Sequence, residues 1–196
     1  MPESSPSFEQ VVRFRRSVRK YLDRPVEPEK WEALEMAAVR AAEALDLQSV
    51  KFVFIRNPEN KRKFALAAFS GIAGKINPWL LTTKAQGFIV LAGNERKIGD
   101  DLDNPLYLAE AAMAMEAVIL QAAELGLGTC WMGAFGERKL NKVLKLPEGI
   151  RIVAISPVGY PPQAGPRLDW DTFTRQAVSK SRKPLDQIHR FMDEDR

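Results

Sequence analysis

The segment from Asn104 to Gly128 restricts the fold more than any other part of this 196-residue chain. Asn104-Pro105 is a helix start signal, and Gly126-Leu127-Gly128 is a stop. Between them the run AEAAMAMEAVILQAA puts apolar side chains on nearly every side of a helix. A helix without a polar face has to be buried, and its small residues let another backbone come close. Glu110, Glu116 and Glu124 make the same stretch a poor membrane span. The helix therefore belongs in a protein interior.

Around it, helices and strands alternate. Ser7 is placed to cap a short helix through Arg13, with Glu9 and Gln10 near its start. Pro28 opens a second helix reaching to about Leu45, in which Trp31, Leu34, Ala38 and Ala42 recur at helical spacing. KFVFI at 51–55 predicts a strand, Glu59 to Phe69 a third helix, and GFIVLA at 87–92 a strand buried on both faces. Residues 70–84 hold two glycines and a proline without clear periodicity, which suits a loop or broken helix acting as a mobile cover. A short helix at 137–144 precedes the last strong strand, IRIVAISPVGY at 150–160, and a C-terminal amphipathic helix follows Pro184. Interspersed strands and helices predict an α+β or α/β sandwich.

Composition removes several classes of function. With 45% hydrophobic and 28% charged residues the chain is of ordinary globular type. Cys130 is the single cysteine, so no internal disulfide can form and a reducing compartment is expected. One cysteine and one histidine, His189, leave no Cys- or His-based metal site. The start, MPESSPSFEQ, has neither the basic residues nor the apolar run of a secretory signal, and a cytoplasmic location is expected. No G-x-G-x-x-G follows a strand and no G-x-x-x-x-G-K-[ST] occurs, so neither a Rossmann site nor a P-loop is signalled. A Ser-His-Asp triad would depend on His189 and lacks a G-x-S-x-G partner. Cys130 has no obvious base beside it and reads as buried packing.

The net charge of +4 is unevenly spread. Residues 13–24 carry six basic side chains and one acid, residues 175–183 carry four basic side chains and no acid, and the remainder of the chain is net −5. Two compact basic clusters suit a small anion as well as a nucleic acid. In the first, Arg15-Arg16-Ser17-Val18-Arg19 supplies forked donors and a hydroxyl, the equipment for a phosphate. Taken alone, it fits a solvated basic face equally well. Lys180-Ser181-Arg182-Lys183 repeats the same donor types. A third constellation, Gly126 to Phe135 (GLGTCWMGAF), either lets a backbone approach a flat ligand, with N–H groups of Gly133 and Ala134 available, or caps the long helix and enters the core.

In their order, these pieces resemble the nitroreductase family of FMN enzymes. RRSVR near the start, GLGTCWMGAF after a long Ala-rich helix, KLPEGIRIVAISPVGYP and KSRKPLDQI carry the resemblance over about residues 8–190. The resemblance implies an α+β fold, a three-layer α-β-α sandwich with a mainly antiparallel central sheet. It implies one domain over 1–196 whose tail, about 175–196, wraps a partner subunit. FMN would lie at the interface of a homodimer, with the long helix packed against its counterpart. By position Arg15, Ser17 and Arg19 correspond to residues that hold the FMN phosphate and polar ring atoms, and Arg16, in the same run, is counted with them as cofactor-binding. Lys180 and Arg182 correspond to C-terminal phosphate contacts. Trp131, Met132, Gly133 and Ala134 correspond to the segment against the isoalloxazine, with a backbone N–H approaching N5, and Glu110 to a polar side chain near the flavin. The family's P-S-x-x-N-x-Q-P-W-like segment is represented here by residues 42–52, where Gln48 survives but the Pro, Ser, Asn and Trp do not.

The implied activity is an oxidoreductase in which NADH or NADPH gives a hydride to flavin N5 and an electron-poor acceptor, such as a nitroaromatic or quinone, takes it by ping-pong turnover. Flavin chemistry asks little of the protein beyond placement and electrostatics, so no side chain is nominated as acid or base. The altered 42–50 segment motivates an alternative, a flavin-binding carrier or sensor without nicotinamide-driven turnover. A nucleic-acid module lacks a helix-turn-helix signature and aromatic-basic interleaving. The partners expected are a second copy and a small-molecule substrate, with no nucleic acid and no membrane.

Overall fold

A computed structural model describes residues 5–44, 50–94 and 106–162. Gln48, Lys180, Arg182 and the C-terminal tail lie outside these residues.

Local chemistry sets the first elements. α1 (Phe8–Phe14) begins in a capping box: Ser7 Oγ accepts from the Gln10 N–H at 3.3 Å, and the Ser7 N–H donates to Gln10 Oε1 at 2.8 Å. α2 (Pro28–Ala44) buries Trp31, Leu34, Ala38 and Ala41. β1 (Val50–Ile55) leads to α3 (Pro58–Ala68), capped by the Asn57 side chain on the N–H groups of Glu59 and Asn60. The 70–84 stretch is a broken helix: α4 (Ile72–Ile76), then a 3-10 turn at Pro78–Leu81. β2 (Gly87–Asn94) and α5 (Leu106–Glu124) follow. Gly126, at φ +73°, closes α5: its N–H bonds Ala123 C=O and the Leu127 N–H bonds Ala122 C=O, the paired reverse bonds of a Schellman end. β3 (Gly128–Thr129), α6 (Glu137–Leu144) and β4 (Ile150–Gly159) complete the described chain.

The sheet order is β1-β2-β4-β3, and every pairing between these strands is antiparallel. One face of β2 sends Ile89 and Leu91 into a core with α2 and α5; the other sends Phe88 and Val90 toward α3 and α6. This is the three-layer α-β-α sandwich that the family resemblance implies. A register shift opposite Leu91/Ala92 lets β4 turn Ala154 to the first core while Ile152 and Ile155 both face the second.

α5 departs from its sequence pattern in an informative way. By length and hydropathy it would qualify to cross a membrane, yet one face is packed as a core helix is: Ala111, Ala114, Met115, Val118, Ile119 and Ala122 are buried. The opposite face is not covered by the described chain. Leu108 is 41% and Met113 49% exposed, and Ala109, Ala112 and Glu116 share that face. Phe8, Val12 and Phe14 of the neighbouring α1 are exposed as well.

Candidate functional site

The site grows from a defect in the β3–β4 ladder. Gly128 pairs with Gly159 and Thr129 with Val158. Further along, Met132 and Ile155 exchange two backbone bonds, at 2.9 and 3.0 Å, in the same register. That register sets Cys130 opposite Pro157, which has no N–H to give. The strand is therefore interrupted for one rung and resumes at Met132.

The alternation of an extended strand sorts the side chains across this segment. Cys130 and Met132 are 2% and 6% exposed and lie in the second core; Trp131 and Gly133 are exposed. It also sorts the backbone groups. Met132 spends its N–H on β4, so those of Trp131 and Gly133 are directed to the outer edge. Among the described residues the N–H groups of Trp131, Gly133 and Ala134 have no acceptor. A Cβ added to Gly133 would meet nothing of the described chain within 4 Å. The segment thus offers open donors beside an unfilled surface, as a flat acceptor-edged ligand requires. Met132 contributes from behind, as packing.

The basic N-terminal run lies along the same edge. Ser17 bridges Thr129 in parallel, and the Val18 N–H donates to Thr129 C=O at 2.7 Å. Gly128 makes this approach feasible, because a Cβ there would fall 2.8 Å from three carbons of the Val18 side chain. Tyr21, 7% exposed, donates its hydroxyl to Val18 C=O at 2.6 Å, and the Leu22 N–H reaches Tyr160 C=O at 2.8 Å. Arg16, Ser17 and Arg19 are half-buried. Arg15 is more exposed and pairs with Glu116 of α5 at 3.6 Å. Glu110 is half-buried on the same helix, which packs against both α1 and β3.

The structure thus unites two constellations that the sequence holds more than a hundred residues apart. The first is smaller than its charge count suggests. Arg13 is paired with Glu9 at 2.7 Å, and Arg24 pairs with Glu27 at 3.0 Å while lying 3.9 Å from the centre of the Tyr160 ring. Arg24 belongs to a structural knot: Tyr160 donates to Glu27, and Lys30 donates to both the Tyr160 hydroxyl and Leu125 C=O, each at 2.8 Å. The Tyr160 hydrogen bond, with help from Glu27's own backbone, Arg24 and Lys30, holds the Glu27 carboxyl down to about 2. Across the sheet, the Arg151 guanidinium, bonded to both oxygens of Glu137 at 2.7 and 3.0 Å, lowers that carboxyl too.

Sequence reasoning placed Thr129 in the GLGTCWMGAF run without a role and missed Tyr21 and Ser156; all three hold the edge together. The only available signal was Pro157, a proline inside a strong strand and so a marker of a missing rung.

Comparison with known proteins agrees with this architecture. The Nitroreductase family model matches residues 12–160. An NADH dehydrogenase of Thermus thermophilus is 28% identical over 174 residues, covering 77% of this chain and 85% of its own length. An FMN reductase [NAD(P)H] of Bacillus subtilis is 25% identical over 181 residues, covering 82% of this chain and 70% of its own. The crystal structure of a nitroreductase family protein from Clostridium novyi NT superposes with a TM-score of 0.69 at 29% identity, covering 86% of this chain and 92% of that one. The chain belongs to the nitroreductase family.

Proposed function

We propose that this protein is an FMN-dependent NAD(P)H oxidoreductase whose flavin site is the edge formed by Arg15–Arg19 and Trp131–Ala134. The observation that carries the proposal is the Ser17–Thr129 bridge, which sets a run of cations beside open backbone donors. Arg15, Arg16, Ser17 and Arg19 suit a phosphate through charge-assisted bonds. The N–H groups of Gly133 and Ala134 suit the acceptor edge of an isoalloxazine, and Trp131 offers an aromatic wall. Fixed donors of this kind also stabilise negative charge at small reorganisation cost. When bound, FMN supplies the redox chemistry, taking a hydride from NADH or NADPH and yielding it to an electron-poor acceptor such as a nitroaromatic or quinone. The names of the Thermus and Bacillus relatives support the nicotinamide donor and, for the second, FMN.

Gln48, Lys180, Arg182 and Glu110 complete the proposed binding set, with Met132 behind the exposed segment. The protein acts as a cytoplasmic homodimer with FMN at the interface, one domain per chain, its tail from about residue 175 wrapping the partner. The uncovered face of α5 supports the dimer.

The test is direct. The purified protein should be yellow or take up added FMN stoichiometrically, and should bleach under anaerobic NADH or NADPH. Protein that binds no FMN would refute the site. Bound FMN that neither nicotinamide bleaches would instead identify a carrier or sensor.

A further inference from the structure

Ser156 is fully buried, yet it is polar and sits in the middle of a central strand. Its place follows from the ladder. Met132 and Ile155 form a hydrogen-bonded pair, and the antiparallel pattern repeats every second residue, so Cys130 and Pro157 should exchange the next two bonds. Pro157 can donate none. The Cys130 N–H turns to Ser156 Oγ at 3.1 Å, and the Ser156 hydroxyl donates to Pro157 C=O at 3.1 Å. A side-chain hydroxyl thus stands between the N–H and C=O that would otherwise meet directly. The peptide it holds leads straight into Trp131 and on to Gly133, whose N–H groups face the proposed ligand.

We propose that Ser156 is a positioning residue for this edge: its hydroxyl, set in the rung that Pro157 cannot complete, fixes the spacing and tilt of the Cys130–Gly133 strand and so the aim of the Trp131 and Gly133 donors. The role rests on the assignment of the edge to FMN. It differs from a merely structural role, because the hydroxyl takes the place of the direct Cys130–Pro157 backbone bond, so on this proposal it sets where the edge strand lies as well as how firmly it is held. Removing Ser156 alone leaves the rung damaged. Removing Ser156 and Pro157 together restores a regular ladder with a different strand position.

Two variants and two readouts test this. In Ser156→Ala, amide exchange at Cys130 and Met132 should rise at least tenfold in the FMN-free protein. FMN should bind at least tenfold more weakly, with a displaced visible absorption maximum. The core change Ile55→Val, in β1 at the far edge of the sheet, should alter none of these. In the double variant S156A/P157A, exchange protection should return while FMN affinity stays at least tenfold low. The double variant carries the test by itself if the single one does not fold. Wild-type FMN affinity and spectrum in either folded variant would overturn the proposal. Failure of the wild-type protein to take up FMN would refute the flavin assignment, and the role toward flavin with it. The exchange rates would still report whether Ser156 holds the strand.

Discussion

Two glycines five residues apart show how differently one residue type can be required. Gly128 is needed by the fold: its missing Cβ leaves room for Val18, three of whose carbons would lie 2.8 Å from it. Gly133 is needed by nothing in the described chain, where its missing Cβ faces open space. Gly128→Ala should therefore destabilise by about 1–3 kcal/mol, the usual range for overpacking. Gly133→Ala should change stability by no more than about 0.5 kcal/mol, yet weaken FMN binding at least tenfold by placing a methyl where the ring would lie. Thermal unfolding of the apo-protein and a fluorescence titration with FMN separate the two effects. A Gly133→Ala variant with wild-type affinity would remove this residue from the site. The sequence assigned Gly128 to the helix stop and Gly133 to a ligand's backbone donors, but did not show that Gly128 makes room for another segment. What Gly128 approaches is Val18, more than a hundred residues earlier and beyond the reach of any local pattern.

At the scale of the element, α5 was legible in composition and incomplete in partnership. Its apolar pattern runs nearly all round, but the described chain covers only the face bearing Ala111, Met115, Val118 and Ala122. Leu108 and Met113 remain half-exposed on a helix too apolar to leave in water, which favours a second copy over that face. Leu108→Asp tests this. The residue is exposed in one chain, so the substitution should leave monomer stability within about 0.5 kcal/mol. In a dimer it would bury an unpaired carboxylate at a cost of several kcal/mol, weakening association by roughly a hundredfold or more. Light scattering at micromolar concentration should give twice 22.0 kDa for the wild type and 22.0 kDa for the variant. Equal masses would place the interface elsewhere. Strand β3 was the opposite case. The run GTCWMGAF gave no sign of where pairing would fail, because the cause, Pro157, sits on the partner strand.

At the scale of the whole molecule, charge was read correctly in sum and only partly in purpose. The basic excess in residues 13–24 suggested one anion site, but Arg24 closes a knot that joins three distant parts of the fold. Through Glu27, Lys30 and Tyr160 the start of α2 is tied to the end of β4 and to the Leu125 carbonyl just past α5. A lysine at that helix end also complements its dipole. Periodicity could not reveal the knot, since its members are spread from residue 24 to residue 160. Its consequence is a pH dependence with a definite sign. The Glu27 carboxyl is held near 2, below its ordinary 4.5, chiefly by the Tyr160 hydroxyl. A carboxyl whose pKa is lower in the folded state stabilises fully above its unfolded value, and that contribution fades as acid protonates it. The melting temperature of the wild type should therefore exceed that of Glu27→Gln most above about pH 5, with the difference shrinking steadily toward pH 2. Glu137, lowered by Arg151, fades in the same direction but in both proteins, so it cancels from the comparison. A difference that stayed constant from pH 7 to pH 2 would mean that Glu27 acts through packing, and that its ionised bond to Tyr160 contributes nothing to holding the N-terminal segment in place.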